Sequence, residues 1–286
     1  MVDVQKLSIL AIAMMDTQLK PGERLIPDDT RTPIYQIQLL RHQFVYEHVK
    51  SRLTPNENVM DLGFGEGYGA SLLAEKCRQI VGVDVAEQVV EYANNKYAKK
   101  NCRFVKYDGR LLPFEARSFD IVVSFQVIEH IDDELAFVSE IHRVLKTGGR
   151  LILTTPNKAT RLKPGQRPFN RFHKREYYAG ELKEILKAKF AEVHVYGVCA
   201  TDEIHQIEFS RIRRGGLMSL LINLGLRKII PESLDLALAK FVGNIRGQKK
   251  ISDSDKNPRK NFALSDFRIE KVKVDESLDL FALCIK

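Results

Sequence analysis

Four glycines at alternate positions, Gly63, Gly65, Gly67 and Gly69 in VMDLGFGEGYGA, stand just behind the apolar run Asn58 to Leu62 and just ahead of a helical pattern. Glycine at such a strand-to-helix turn permits left-handed backbone and leaves no Cβ between the main chain and a bound group. A buried strand, a tight turn and a helix in succession form the opening unit of a doubly wound α/β sheet. Asp84 closes the next strand-like run about 20 residues downstream, the distance at which a carboxylate reaches the hydroxyls of a ribose. Turn and acid together describe a cradle for a nucleotide-like cofactor. The alternative is a turn without ligand, with Asp84 capping the helix that starts near Ala86.

The rest of the chain keeps that rhythm. Strand-like runs fall at Asn58 to Leu62, Gln79 to Val83, Cys102 to Tyr107, Phe119 to Phe125, Arg150 to Thr155 and Glu192 to Val198. Helical spacing of apolar residues covers Gln36 to Leu53, Ser71 to Cys77, Glu87 to Tyr97, Asp133 to Leu145 and Gly180 to Lys189. Strand and helix alternate as parallel strands with crossovers require. The rhythm breaks after Val198, and the apolar run Leu278 to Ile285 reads as a closing strand. The expected organisation is an N-terminal helical segment over 1–54, a core over 55–200, an insertion or cap over 201–265, and a C-terminal strand over 266–286 that completes the core. Leu7 to Met15 is half the length of a membrane span and reads as a packed helix, with a cleaved signal peptide as the alternative. Cys77, Cys102, Cys199 and Cys284 form no CxxC pair, which argues against disulfides and zinc knuckles and for a reducing, cytoplasmic compartment. No metal site is expected.

Gly65, Gly67 and Ala70 also fit the dinucleotide pattern G-x-G-x-x-A. Asp61 ahead of the first glycine, a second acidic strand end at Asp108 and the segments beyond separate the two readings. DLGFGEGYG, VGVD, YDGRLLPFEARSFDIVVSFQVIEHI and RVLKTGGRLILTTPN, in that order, resemble the class I S-adenosylmethionine-dependent methyltransferases, in particular the branch acting on small molecules and glycans. The resemblance runs from about Val59 to Gly197, and LDLFALCIK resembles the usual last strand. It implies a Rossmann-like, seven-stranded, mostly parallel sheet with helices on both faces, a final antiparallel strand and, here, a helical insertion before it. It implies S-adenosylmethionine as cofactor, with Gly63, Gly65 and Gly67 under its methionine and ribose part and Asp61 near its amino end. Asp84 would hold the ribose, Asp108 the adenine amino group with Gly109 beside it, and Gln126 would face the transferred methyl. Phe64 stands where many relatives have Cys or a small residue, and Thr147 replaces the Pro of a K-P-G-G turn. Neither side chain is needed for the chemistry.

A sulfonium methyl is already activated, so the protein mainly aligns the acceptor, and proximity can supply roughly 7–11 kcal/mol. A base is needed only where the acceptor must lose a proton, and histidine suits that work near neutral pH. His130 and His173 are the catalytic candidates. His130 follows Glu129 in VIEHI and either faces the acceptor or caps the next helix with Asp132 and Asp133. His173 lies in NRFHKREYY, which resembles the family's N-P-F-H-x-R-E-[FY] loop over the acceptor pocket, with Arg171 in the Pro position. Glu129 either balances the sulfonium charge, orders the histidine or caps a helix. Asn157 either positions an acceptor oxygen or forms a loop. His42, His48, His142, His194 and His205 read as helix-surface or strand residues.

Net charge is +8, but it is local: Lys158 to Arg175 holds seven cations and no acid. That loop suits an anionic acceptor, or is a solvated loop. Within the insertion, Leu217 to Ile230 reads as a cap helix or, with its flanking arginines, as an interfacial helix touching a membrane surface. Gly247 to Asn261 reads as a connector. The favoured function is methyl transfer to a small-molecule or glycan acceptor, anionic or lipid-linked. An RNA or protein methyltransferase is the second reading, weakened because aromatics are not interleaved with the cations and Ser124, Phe125, Gln126 and Val127 stand where base-methylating enzymes carry N-P-P-Y. A non-catalytic cofactor-binding protein on the same fold is the third.

Overall fold

The computed structural model describes residues 33–162, 165–168, 170, 172–213 and 262–286. The expected helix over Leu7 to Met15, the stretch Leu217 to Ile230, the connector Gly247 to Asn261, and Lys163 and Arg171 of the basic loop lie outside the described residues.

The apolar runs with almost no exposed side chains become the central strands, as burial on both faces of a parallel sheet demands. β1 (Asn58–Leu62), β2 (Gln79–Asp84), β3 (Cys102–Lys106), β4 (Phe119–Phe125), β5 (Leu145–Pro156), β6 (Glu192–Ala200), β7 (Phe267–Glu270) and β8 (Asp279–Ile285) form one sheet. Its order is β3-β2-β1-β4-β5-β8-β6-β7. The β1–β2, β1–β4, β2–β3 and β4–β5 pairs are parallel, with Asp61 opposite Gly82 on one side and Val123 on the other. β8 runs antiparallel between β5 and β6, the position expected of the closing strand.

The sheet has eight strands where seven were expected. The added β7 pairs antiparallel with β6 at the edge and is only four residues long, FRIE, with one buried side chain. So short and half-exposed an edge strand carries too little periodicity to stand out in sequence.

The helices are α1 (Pro33–Lys50), α2 (Tyr68–Leu73), α3 (Glu87–Tyr97), α4 (Glu134–Val144), α5 (Lys158–Arg161), α6 (Ala179–Lys187) and α7 (Asp202–Arg213). Val45 and Val49 of α1, Leu73 of α2 and Val89 and Ala93 of α3 pack on one face of the sheet. Phe137, Val138 and Ile141 of α4 and Leu182 and Leu186 of α6 pack on the other. Helices thus cover both faces. α2 starts at Tyr68, earlier than the expected Ser71, because Gly67 at φ 100° ends the turn and serves as its N-cap. α7 lies inside the expected insertion, with Ile204 packed against Phe267 and Leu278. No helix among the described residues is long and apolar enough to cross a membrane.

Candidate functional site

The carboxyl ends of β1, β2, β4 and β5 open on one edge of the sheet, where open α/β sheets bind ligands. At the end of β1 the chain turns through Gly63 at φ 77° and Gly65 at φ 61°. A Cβ on Gly63 would strike Val127, whereas one on Gly65 would meet nothing within 4 Å. Gly63 therefore serves packing, and Gly65 bounds open space. The Gly63 amide donates to the Val83 carbonyl at 2.7 Å, which ties the turn to the end of β2.

Asp61 is fully buried beneath this turn. Its Oδ2 accepts from Tyr46 of α1 at 2.9 Å, and its Oδ1 accepts no hydrogen bond from the described residues. Burial pushes its carboxyl up to about 7, against the Tyr46 hydrogen bond and with help from the Asp84 charge. A half-satisfied buried carboxylate is what a cationic ligand group would complete.

Asp84 ends β2, and its Oδ1 accepts from the Ala86 amide at 3.0 Å, so it opens α3 as well as facing the edge. Asp108 follows β3, and its Oδ1 accepts from the Arg110 and Leu111 amides at 2.8 and 2.9 Å. Those amides hold its carboxyl below the usual range. Gly109, at φ 82°, stands beside Val85, 3.5 Å from its Cγ1 to a Cβ placed there. Gln126 follows β4 at φ 59°, a left-handed conformation that costs a non-glycine residue about 1–3 kcal/mol. Its amide donates to the Thr154 carbonyl at 2.9 Å. All eight residues expected around the cofactor are thus gathered on the edge of β1 to β4.

The acceptor candidates meet beyond β4. Ile128–His130 form a 3-10 turn that buries Glu129. Its main-chain carbonyl accepts from the Lys174 amide at 2.7 Å, docking the His173 loop on it. The His130 and His173 rings are edge to face with centroids 4.9 Å apart. His130 Nδ1 lies 3.1 Å from the Phe172 carbonyl, which can only accept, so that nitrogen carries the proton. His173 Nδ1 lies 2.9 Å from Glu176 Oε1. Glu176 is buried and also receives Arg161 Nε at 3.2 Å. Burial alone would raise its carboxyl, but His173 and Arg161 outweigh that and hold it below the ordinary range. Glu129 Oε2 accepts from Thr155 at 2.9 Å, while its Oε1 accepts nothing from the described residues. Burial first, then the nearby Asp279 and Glu176 charges, push the Glu129 carboxyl up to about 8.

Three of the sequence readings are narrowed. Asn157 is buried and fully occupied: its Nδ2 donates to the Val274 carbonyl at 2.8 Å and to the carbonyl and hydroxyl of Ser277 at 3.1 Å, and its Oδ1 accepts from Ala159. It clasps the chain ahead of β8 to the end of β5 and has no donor left for an acceptor. Of the five described cations of the basic loop, four are paired in place. Lys158 pairs with Glu181, Arg161 with Glu176, Lys174 with Asp132, and Arg175 with Glu134 and Glu181, while Arg167 is exposed. His42, expected on a helix surface, instead bonds Tyr68 at 2.6 Å through Nδ1, and burial, then Arg41, lower it to about 4.

Sequence reasoning missed Glu66, Glu176, Glu208 and Asp279 as buried charges. Glu66 accepts from Tyr92, Lys96 and Tyr97 and braces the glycine turn against α3. Asp279 pairs with Arg41 at 2.9 Å. An acid inside the apolar run LDLFALC was the available signal for Asp279; the others sit in ordinary polar context.

The description "methyltransferase domain" matches residues 60–153. A probable S-adenosylmethionine-dependent methyltransferase of Mycolicibacterium smegmatis is 34% identical over 93% of this chain and 94% of its own. A ubiquinone biosynthesis O-methyltransferase of Idiomarina loihiensis is 30% identical over 46% of this chain and 55% of its own. Among solved structures, an S-adenosylmethionine-dependent methyltransferase of Thermotoga maritima, described as a possible histamine N-methyltransferase, superposes with a TM-score of 0.53 at 18% identity, covering 88% of this chain and 94% of its own. That similarity concerns the fold.

Proposed function

The chain belongs to the S-adenosylmethionine-dependent methyltransferases, and on that ground we propose that it carries a methyl group to a hydroxyl of a small-molecule or glycan acceptor. When bound, S-adenosylmethionine supplies a sulfonium methyl that needs no further activation. The residues fit it: the open space over Gly65 admits a ligand against the main chain, and the unpartnered Asp61 Oδ1 suits an ammonium. Asp61 would take the amino end, Gly63, Gly65 and Gly67 would line the methionine and ribose part, and Asp84 would hold the ribose. Asp108 and Gly109 would flank the adenine, and Gln126 would close the cradle on the methyl side.

One observation carries the hydroxyl reading, the His173–Glu176 pair beside His130. A hydroxyl must shed its proton as the new bond forms. With Nδ1 donating to the Glu176 carboxylate, the His173 ring keeps its Nε2 lone pair for that proton, and Glu176 steadies the imidazolium that results. The O-methyltransferase similarity supports an oxygen acceptor. Exposed Arg167 is the described loop cation that favours an anionic or lipid-linked one.

Transfer of labelled methyl from S-adenosylmethionine into a cell extract, divided into lipid, small-molecule, nucleic-acid and protein fractions, tests this. Label in the first two, held as a methyl ether, is expected. Label in nucleic acid or protein overturns the proposal.

A further inference from the structure

We infer that Glu129, His130 and His173 form a binding site for a borderline divalent cation, of the Zn²⁺, Co²⁺ or Ni²⁺ class, at the acceptor end of the cleft. One ligand atom from each lies within 4.8 Å of the others. Bonds near 2.1 Å place neighbouring ligands about 3.4 Å apart, so small side-chain rotations close the set.

The surroundings prepare these atoms for metal. Glu129 is buried, with one oxygen held by Thr155 and the other accepting nothing from the described residues. A buried carboxylate oxygen left in that state is costly, and a cation is one remedy. On His130 the Phe172 carbonyl accepts a hydrogen bond from the protonated Nδ1, and on His173 the Glu176 carboxylate does the same. Both rings are thereby set in the tautomer whose Nε2 keeps its lone pair, the state a metal requires. A carboxylate behind a ligating imidazole is the usual outer support of such sites, and here Arg161 fixes that carboxylate in turn. The Lys174 amide, bonded to the Glu129 carbonyl, keeps the His173 loop against the turn bearing the other two ligands.

Two imidazoles and one carboxylate favour a borderline cation over Mg²⁺, which prefers oxygen and water. Three protein ligands leave coordination positions open. This rests on the hydroxyl-acceptor reading for its purpose and, with the cation bound, replaces the His173 base of that reading. An acceptor oxygen on the cation loses its proton to solvent more readily, and the imidazoles then act as ligands rather than as base.

The test is titration of the chelator-treated full chain with Co²⁺, followed by equilibrium dialysis and visible absorption, with S-adenosylmethionine binding measured on the same preparation. One Co²⁺ per chain is expected, bound at least about tenfold more weakly by Glu129→Gln and His173→Asn, and about 10–100-fold more weakly by Glu176→Gln. In the intact chain, paramagnetic shifts should fall on the His130 and His173 rings and spare exposed His194. No Co²⁺ binding by a folded chain, shifts centred on His194, or undiminished binding by folded variants overturns the site. A chain that binds S-adenosylmethionine but no Co²⁺ refutes the cation site alone; one that binds Co²⁺ but no S-adenosylmethionine refutes the methyltransferase reading alone.

Discussion

Replacing Asp61 with Asn should stabilise the ligand-free protein while weakening cofactor binding. Asp61 is fully buried, and burial pushes its carboxyl from 3.8 to about 7. At 1.36 kcal/mol per tenfold change in proton affinity, ionising it inside the fold costs about 4 kcal/mol. The folded value is the raised one, so the native state binds the proton more tightly than the unfolded chain. The stability tied to that proton is fully present below the unfolded value near 3.9 and is lost as pH climbs through about 7. About 2 kcal/mol of the loss falls between pH 5.5 and 8. Asn keeps an oxygen for the Tyr46 hydroxyl and has no charge to expose. The gap between the variant and the parent in denaturant unfolding should therefore widen by about 2 kcal/mol from pH 5.5 to pH 8. Calorimetry with S-adenosylmethionine should show the reverse order, with parental affinity rising as pH approaches 7 and the variant weaker by at least about tenfold and flat over that range. A stability gap that stays constant with pH would refute the account of Asp61. A widened gap with parental cofactor affinity would refute only its place at the ammonium.

Gly65→Ala meets no neighbour but must hold φ 61°, so it should cost about 1–2 kcal/mol of stability and weaken S-adenosylmethionine binding beyond that, as read by melting and calorimetry. Asn157→Ala removes one donor from the Val274 and Ser277 carbonyls, which keep the Ser277 amide and hydroxyl and the Thr160 hydroxyl, and should lower unfolding free energy by about 0.5–1.5 kcal/mol with cofactor affinity unchanged; a cofactor defect would restore Asn157 to the site. Arg161→Ala leaves the buried Glu176 to His173 and should cost about 1.5–3 kcal/mol in denaturant unfolding, against the small effect expected of a solvated loop cation.

What could be read from the chain alone was whatever neighbours along the backbone decide. β1, β4 and α3 end where their apolar periodicity ends, because a strand or helix buried by its own pattern needs no distant residue to define it. The edge on which a cofactor is proposed to lie was equally legible as the meeting place of these residues. A glycine turn after β1 and acids at the ends of β2 and β3 occupy positions that parallel pairing brings side by side, whatever covers them. β7 was not legible, since four half-exposed residues become a strand only once β6 offers a partner.

The charges were decided by tertiary structure. The sequence shows seven cations and no acid from Lys158 to Arg175, yet the acids that neutralise Lys158, Lys174 and Arg175 come from α6, the turn ahead of α4, and α4 itself. Asp61 is acidic in any reading, but its proton affinity depends on α1 closing over it with Tyr46. His130 and His173 stand more than forty residues apart and meet only because the loop docks its Lys174 amide on Glu129. Backbone geometry is set over a few residues, so sequence alone determined where the turns and strands lie. Desolvation and Coulomb energy depend on distance in space, so which side chains are buried, paired or left one hydrogen bond short was settled only by the packed fold.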